Sequence, residues 1–271
     1  MSKYRYFHVD AFANKPFEGN QAAVMPMDAY PDDTILQAIA AENNFAETAF
    51  IVQTGGDSWE LRWFTPTIEV PLCGHATLAS AHVIFNELGF QGDIIHFDTR
   101  KAGRLSVVRL DNGQLEMDFP ADPPRRTDIP VGLSEALGAE PKELWAGAFL
   151  LAVFDTPDEV VALAPNYAAV EPIAGEATGG RGNVICSAIG HDGKDVVSRF
   201  FAPGSGIPED AATGSAHCII APLFSEKLEK EELSCFQAFP GRGAYIGTKM
   251  SGDRVKLRGA SVTVVEGWFN L

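Results

Sequence analysis

The residues best suited to chemistry lie in two short stretches of the chain. Residues 73–77 read Cys-Gly-His-Ala-Thr, and residues 210–217 read Asp-Ala-Ala-Thr-Gly-Ser-Ala-His. Both patterns are typical of a turn that opens a helix, where unpaired N–H groups and the positive end of the helix dipole bind carboxylate or phosphate oxygens. Each stretch is therefore predicted to bind a small carboxylate-bearing molecule. The alternative is that Thr213 and Ser215 only cap a helix and that Gly74 only forms a turn.

Glu47 is the candidate for proton transfer. It lies in the otherwise apolar stretch 45–50, and a partly desolvated carboxylate is suited to general acid–base catalysis. A carboxylate that reaches solvent at the start of a strand is the simpler interpretation of these residues alone. His75 could relay a proton or bind a ligand, although an isolated histidine is more often structural. Asp210 on its own resembles a solvated acid.

Two other kinds of site find less support. Cys73 precedes a predicted helix start, where a thiolate is stabilised, but the second stretch has no cysteine, which argues against a two-thiol racemase. Ser215, His75 and Asp210 could form a hydrolase triad, yet the G-x-S-x-G turn and the oxyanion loop of such enzymes are missing. The four cysteines lack metal-binding spacing. They are expected to be reduced thiols, and no metal site is predicted.

The two stretches belong to a longer repeat. Three residue pairs share one offset of 137 residues, about half the chain, namely Phe64 and Phe201, Pro66 and Pro203, and Pro71 and Pro208. A duplicated strand–loop–helix unit predicts two pseudo-symmetric halves. Matching loops from such halves are expected to face one cleft, where ligands preferentially bind. Glu47 lies outside both copies of the motif.

Sequence periodicity predicts mixed strands and helices in both halves. The first half is predicted to contain strands at 6–12, 47–52 and 59–64, helices at about 31–44 and 74–88, and three strands between 94 and 119. The second half is predicted to contain helices near 134–137 and from 214 to about 224, and strands at 149–154, 183–189, 196–201 and 261–265. This mixture indicates an α+β fold.

The proline-rich segment 120–124 is the clearest linker, because proline cannot pair within a sheet. We therefore predict an N-terminal half at 1–120 and a C-terminal half at 121–259. The last strand, about 260–271, is a candidate to join the first half. The active site is expected in the cleft between the halves.

The composition argues against several classes of protein. With 46% hydrophobic and 21% charged residues, the chain has the material for a globular core. Its formal net charge of −15 and the lack of a basic stripe argue against a nucleic-acid partner. The first residues lack the apolar core of a signal peptide, and no apolar run is long enough to span a bilayer. A cytoplasmic protein without a membrane partner is expected.

Taken together, these motifs resemble those of the PhzF-like (phenazine biosynthesis) family of isomerases. The resemblance covers essentially the whole chain and rests on ordered motifs at 10–12, 17–20, 47–50, 73–77, 210–217, 241–242 and 259–262. It implies the diaminopimelate epimerase-like fold, with two pseudo-symmetric halves that are each a curved mixed sheet wrapped around a central helix. It also implies a homodimer that needs no metal or organic cofactor and acts on a small carboxylate-bearing substrate.

The resemblance implies a role for each candidate residue. The phenazine enzyme of the family isomerises trans-2,3-dihydro-3-hydroxyanthranilate by moving a proton between ring carbons. By that resemblance Glu47 is the acid/base, and His75 and Asp210 are further catalytic residues that orient the substrate or relay protons. The substrate-binding residues are Asn20, Gly74, Ala76, Gly214 and Ser215.

The sequence departs from the family pattern at two positions. Ala211 replaces the usual proline, and Ala46 replaces the usual serine before the acid/base. These departures bear on the identity of the substrate more than on the class of reaction. The sequence predicts a cofactor-independent isomerase of a small carboxylated metabolite, with suprafacial or two-site proton transfer through Glu47. The enzymatic alternative is an epimerase or racemase of an amino or hydroxy acid. The other alternative is a non-catalytic metabolite-binding protein.

Overall fold

The computed structural model describes residues 3–271, which form two compact units. The first unit runs up to Asp118 and also includes Arg258–Leu271, and the second unit is Phe119–Leu257. Among the described residues, no helix is both long and apolar enough to cross a membrane. Each unit is a mixed sheet with few helices, so the predicted α+β class is confirmed.

The first unit follows the strand and helix periodicity of its sequence. Its elements are β1 (Lys3–Ala11), β2 (Asn20–Met27), α1 (Asp33–Asn43), β3 (Glu47–Gly55), β4 (Ser58–Phe64), β5 (Glu69–Val70), α2 (Gly74–His82), which continues as a π-helical segment (Val83–Glu87), β6 (Ile94–Thr99), β7 (Arg104–Arg109), β8 (Leu115–Pro120) and, at the end of the chain, β18 (Ser261–Asn270).

The second unit contains the remaining elements. They are β9 (Arg125–Thr127), α3 (Leu133–Leu137), β10 (Glu143–Ala146), β11 (Leu150–Val153), α4 (Pro157–Ala162), α5 (Tyr167–Thr178), β12 (Val184–Ile189), β13 (Val196–Phe201), β14 (Glu209–Asp210), α6 (Gly214–Leu228), β15 (Glu232–Gln237), β16 (Ala244–Ser251) and β17 (Arg254–Gly259). The chain passes from one unit to the other within β8 and within β17.

The two sheets share one pattern of strand pairing. The first runs β18-β1-β2-β3-β4-β6-β7-β8, with β2/β3 and β4/β6 as its parallel pairs. The second runs β9-β10-β11-β12-β13-β15-β16, with β11/β12 and β13/β15 as its parallel pairs. The short strands β5 and β14 pair with the ends of β4 and β13. The predicted pseudo-symmetry is therefore present in the backbone.

Each sheet packs around one apolar helix. In the first unit α2 contacts β1, β2, β3 and β18, and all its residues from His75 to His82 are buried. Its small residues allow the strands to approach closely. In the second unit α6 packs on β15 and β16, with Ile220 and Phe224 in the core. Other helices cover the other face of each sheet, namely α1 in the first unit and α3, α4 and α5 in the second.

The repeat changes its offset inside the loop that precedes the helix. Phe64 and Phe201 end β4 and β13 at an offset of 137, but Gly74 and Gly214, which begin α2 and α6, are 140 residues apart. The difference is a longer connection before β14, which includes a 3₁₀ turn at Pro203–Ser205. The expectation of one constant offset is therefore wrong beyond this loop.

A buried arginine in each unit fixes the strand that leads to the helix. Arg62 donates to both oxygens of Glu69 at 2.7 and 2.8 Å, and Arg199 donates to both oxygens of Glu209 at 2.8 and 2.7 Å. Each guanidinium also lies over the ring of the phenylalanine two residues later, at 4.9 and 4.8 Å. Bidentate pairs set geometry as well as energy. The arginines therefore hold β5 and β14 against the ends of β4 and β13.

We predict that Glu209→Gln destabilises the second unit by about 3–5 kcal/mol, because it leaves the charge of Arg199 buried without its partner. The side chains of Arg199 and Glu209 are only 5% and 7% exposed. The measurement is the urea midpoint of unfolding. Asp33→Asn is the control, since Asp33 pairs with Arg62 in the first unit but is 61% exposed. An equal loss of stability in both variants would contradict this explanation.

Candidate active site

Glu47, Cys73 and His75 come together at the start of α2. His75 Nε2 lies 3.1 Å from Glu47 Oε2, and Cys73 Sγ lies 3.5 Å from His75 Nδ1 and 4.0 Å from Nε2. Asn20 Nδ2 lies 3.3 Å from His75 Nδ1. The side chain of Glu47 is 17% exposed, whereas the other three residues are buried. The cluster thus presents a carboxylate that is held by an imidazole and still reaches solvent.

The local sequence explains how these side chains meet. Asn20 and Glu47 begin the neighbouring strands β2 and β3, and Cys73 is the N-cap residue of α2. Gly19 precedes Asn20 with a φ of +61°, and a Cβ there would lie 2.0 Å from the carbonyl oxygen of Ala11. Only glycine fits that turn. It therefore fixes the backbone from which Asn20 reaches His75.

Neither helix start carries a side-chain cap. The N-cap residues are Cys73 in α2 and Thr213 in α6, and neither makes a capping hydrogen bond. The Thr213 hydroxyl instead donates to Asp210 Oδ2 at 2.6 Å. The interpretation of Thr213 as a simple cap is therefore wrong. An uncapped first turn has N–H groups that can bind an anion. The roles of Gly74 and Gly214 in such binding remain predictions.

The remaining predicted substrate-binding residues have different surroundings. Gly74 is half-buried, Gly214 is buried and Ser215 is exposed. The N–H of Ala76 lies near the Cys73 sulfur, where it favours the thiolate.

Asp210 lies in a network that was not predicted from the sequence. Gln237 Nε2 donates to the carbonyl oxygen of Asp210 at 2.7 Å, and Gln237 Oε1 accepts from the Thr213 N–H at 2.9 Å. Gln237 is on β15, far along the chain from both residues, so no local spacing indicates it. Buried His217 donates from Nδ1 to the carbonyl oxygen of Thr213, and burial lowers the pKa of His217 to about 4. His217 is therefore neutral at physiological pH.

The charges in the first unit favour a protonated His75. Burial disfavours its charged form, but the Cys73 sulfur and the Glu47 carboxylate outweigh burial and raise the pKa of His75 well above its usual range. Burial and Glu47 together raise the pKa of Cys73 to about 11. Because the thiol is neutral below that pH, Glu47 is the anion that stabilises the imidazolium near pH 7. The expectation of a stabilised thiolate at Cys73 is wrong.

Two predicted alternatives conflict with this geometry. Both ring nitrogens of His75 have partners within the first unit, Glu47 at Nε2 and Asn20 or Cys73 at Nδ1. None is left for a hydrolase triad with Ser215. The counterpart of Cys73 at the start of α6 is Thr213, which confirms that the chain lacks a second thiol at the repeated position.

The strand register shows that the repeat includes the position of Glu47. Thr48 pairs with Phe64, and Val184 pairs with Phe201. The residues immediately before them, Glu47 and Asn183, are therefore equivalent, and the expectation that Glu47 lies outside the repeat is wrong. Asn183 Nδ2 donates to Ser205 Oγ at 2.8 Å. An amide does not titrate, so of these two equivalent positions only Glu47 can exchange a proton.

Comparisons of the sequence and of the structure with known proteins indicate the same family. The family model described as phenazine biosynthesis-like protein (PhzC-PhzF) matches residues 9–267. An "uncharacterized isomerase" of Pseudomonas aeruginosa is 43% identical over 267 residues, which cover 98% of each chain. A crystal structure of a PhzF-family protein from Enterococcus faecalis has a TM-score of 0.93 and 36% identity over 100% of both chains. A predicted epimerase of P. aeruginosa, at 22% identity and a TM-score of 0.72, shows the fold alone.

These findings define the class of the protein as an α+β isomerase built from a repeated sheet-and-helix unit. The chain belongs to the PhzC-PhzF family. The resemblance recognised in the sequence is thereby confirmed, as is the prediction of an isomerase. The roles of the individual site residues remain predictions.

We predict that Glu47→Gln lowers the pKa of His75, because it removes the carboxylate that stabilises the imidazolium. In the wild type the charged form persists as pH rises past the ordinary histidine range, and in the variant it is lost at lower pH. The measurement is an NMR titration of the His75 ring protons. His217, whose titration does not depend on Glu47, is the internal control. An unchanged His75 titration would contradict the assignment.

Proposed function

We propose that this protein is a cofactor-independent isomerase that moves a proton within a small carboxylated metabolite, with Glu47 as the general acid/base. We also propose that it works in the cytoplasm as a homodimer, in a biosynthetic process. The observation that carries the catalytic proposal is the 3.1 Å contact between Glu47 and His75 beside the uncapped start of α2. One unit then contains a partly exposed carboxylate, a buried imidazole and a helix start that can bind an anion.

The proposed reaction is a balanced proton shuttle. Glu47 takes a proton from one carbon as the C–H bond breaks and the carboxyl O–H bond forms, and it returns that proton to another carbon. His75 contacts Oε2, so Oε1 is the oxygen that faces the substrate. The N–H groups of the first turn of α2, including that of Gly74, bind the substrate carboxylate and stabilise the negative charge that develops on it.

The second unit has a supporting part in this proposal. Asp210, held by Gln237 and Thr213, would orient the substrate or relay a proton. Gly214 and Ser215 at the start of α6, and Asn20 in the first unit, would bind it. Loss of turnover in Asp210→Asn with the fold retained would support this part of the proposal, which stands apart from the role of Glu47.

The test is carbon-bound hydrogen exchange in deuterated water over a panel of small carboxylates that includes trans-2,3-dihydro-3-hydroxyanthranilate. We expect the wild type to incorporate deuterium into at least one compound. Glu47→Gln should slow that incorporation by about 10²–10⁴-fold, the usual contribution of a general acid–base, while retaining carboxylate binding.

Glu60→Gln is the matched control, since Glu60 is an exposed glutamate on β4. It should exchange as fast as the wild type. Undiminished exchange in Glu47→Gln would overturn the role of Glu47. Carboxylate binding without any exchange in the wild type would instead favour a metabolite-binding protein.

A further inference from the structure

The edge of the first sheet at β18 is long and open. Strand β18 spans 10 residues and pairs along one side with β1, and among the described residues no strand pairs with its other side. The backbone N–H and C=O groups on that side therefore face outward. An open edge of this kind is a template for pairing with another strand.

The sequence of β18 lacks most of the usual protections of an edge strand. It contains no proline and no lysine, and its one charged side chain, that of Glu266, is paired with Arg5 at 2.6 Å. Val265 and Trp268 are 45% and 55% exposed although both are apolar. The register shift in the pairing with β1 falls before Val265. Residues 265–270 thus form a regular, accessible and largely apolar edge, which natural proteins usually avoid.

The equivalent edge of the second sheet is protected. Counted from the parallel pairs β2/β3 and β11/β12, strand β18 has the place in the first sheet that β9 has in the second. Strand β9 is only 3 residues long, and its residues are exposed and include two arginines. Shortness and positive charge both discourage pairing with another strand. The shared frame therefore does not require an open edge, and the openness of β18 is particular to the first unit.

The charges beside this edge favour a second copy of the chain as its partner. The chain has a formal net charge of −15, so two copies repel each other through most of their surface. The accessible charged side chains of β1 and β18, however, are those of Lys3, Arg5 and Glu266, which are two cations and one anion. The repulsion between two copies is therefore weak where these two strands face each other.

Symmetry points to the same partner. A two-fold axis brings two identical strands together in antiparallel orientation, and the assembly closes after two copies. Pairing of β18 with the β9 edge of another copy would instead continue from copy to copy without closure. The shortness and the arginines of β9 oppose that arrangement. Of these two pairings, only that between two β18 strands therefore gives a closed assembly.

We infer that β18 is the surface through which two copies of the chain associate, with residues 265–270 paired antiparallel to the same residues of the second copy. The pairing satisfies the outward backbone groups of both strands and buries Val265 and Trp268 of each copy. The two-fold axis lies away from Glu266, because an axis there would set two carboxylates opposite each other. The surface rests on the proposed homodimer and is independent of the role of Glu47.

The first test is the mass in solution, measured by analytical ultracentrifugation over a range of protein concentrations. We expect the wild type to sediment with twice the chain mass of 29.2 kDa. Val265→Lys places a cation on the edge, and Trp268→Ala removes its largest apolar side chain. Each should raise the dissociation constant of the dimer about tenfold or more, as the loss of a central interface contact commonly does. Val161→Lys is the matched control, since Val161 is 54% exposed on α4 of the second unit, and it should remain dimeric.

A second test locates the pairing with a short bis-maleimide crosslinker, which joins two thiols. Gly267→Cys places a thiol near the middle of residues 265–270, at a position where an added Cβ meets no atom within 4 Å. We expect this variant to be crosslinked into a dimer. The four natural cysteines are buried, so the wild type and Val161→Cys should give no crosslinked dimer.

The outcomes separate this surface from the proposed function. A wild type that is monomeric at every concentration overturns both the homodimer and the surface. A wild-type dimer that neither Val265→Lys nor Trp268→Ala weakens, or that Gly267→Cys does not crosslink, overturns the surface and leaves the homodimer standing. Deuterium exchange at carbon tests the role of Glu47 separately, and its absence would leave a β18 dimer standing.

Discussion

The bidentate pair between a buried arginine and a glutamate is the interaction on which each unit depends. Arg62 on β4 holds Glu69 on β5, and Arg199 on β13 holds Glu209 on β14. A two-residue strand has too few backbone hydrogen bonds to persist alone, so the ion pair fixes its direction. That direction sets where the helix begins. Because the sequence between strand and helix is short, the pair positions the uncapped first turn on which the proposed carboxylate binding relies.

The same backbone frame carries different chemistry in the two units. Where the first unit has Glu47, the second has Asn183, and where the first has Cys73, the second has Thr213. Because the backbones of the two units are equivalent, both units have a helix start that can bind an anion. Unequal side chains explain why proton transfer is assigned to the first unit, in which a carboxylate charge keeps a buried imidazole protonated.

Much of the fold could be predicted from the sequence because apolar and polar residues alternate along its strands and most of its helices have clear ends. Prolines account for two of the differences between the predicted and the observed helices. Helix α6 continues through Pro222 to Leu228, beyond the predicted end, and α5 contains Pro172, which argues locally against a helix. Helix α4 was missed although Thr156 and Glu159 form a capping box that indicates its start.

The site was predictable in type but not in detail. The equivalence of Arg62 and Arg199 could have been found in the sequence, since these residues share the offset of 137. By contrast, the contact of Gln237 with Asp210 and the equivalence of Glu47 with Asn183 depend on strand register. Register arises from long-range pairing that no local pattern encodes. The high pKa of Cys73 depends likewise on burial by distant residues.

In the proposed mechanism one carboxylate carries the proton from one carbon to another. The most direct measurement starts from an exchanging substrate labelled with deuterium at the departing position and follows a single turnover in ordinary water. Because Glu47 is only 17% exposed, we expect a measurable part of the label to reach the accepting carbon within the same molecule. Complete loss of the label to solvent, with unchanged turnover in Glu47→Gln, would contradict it.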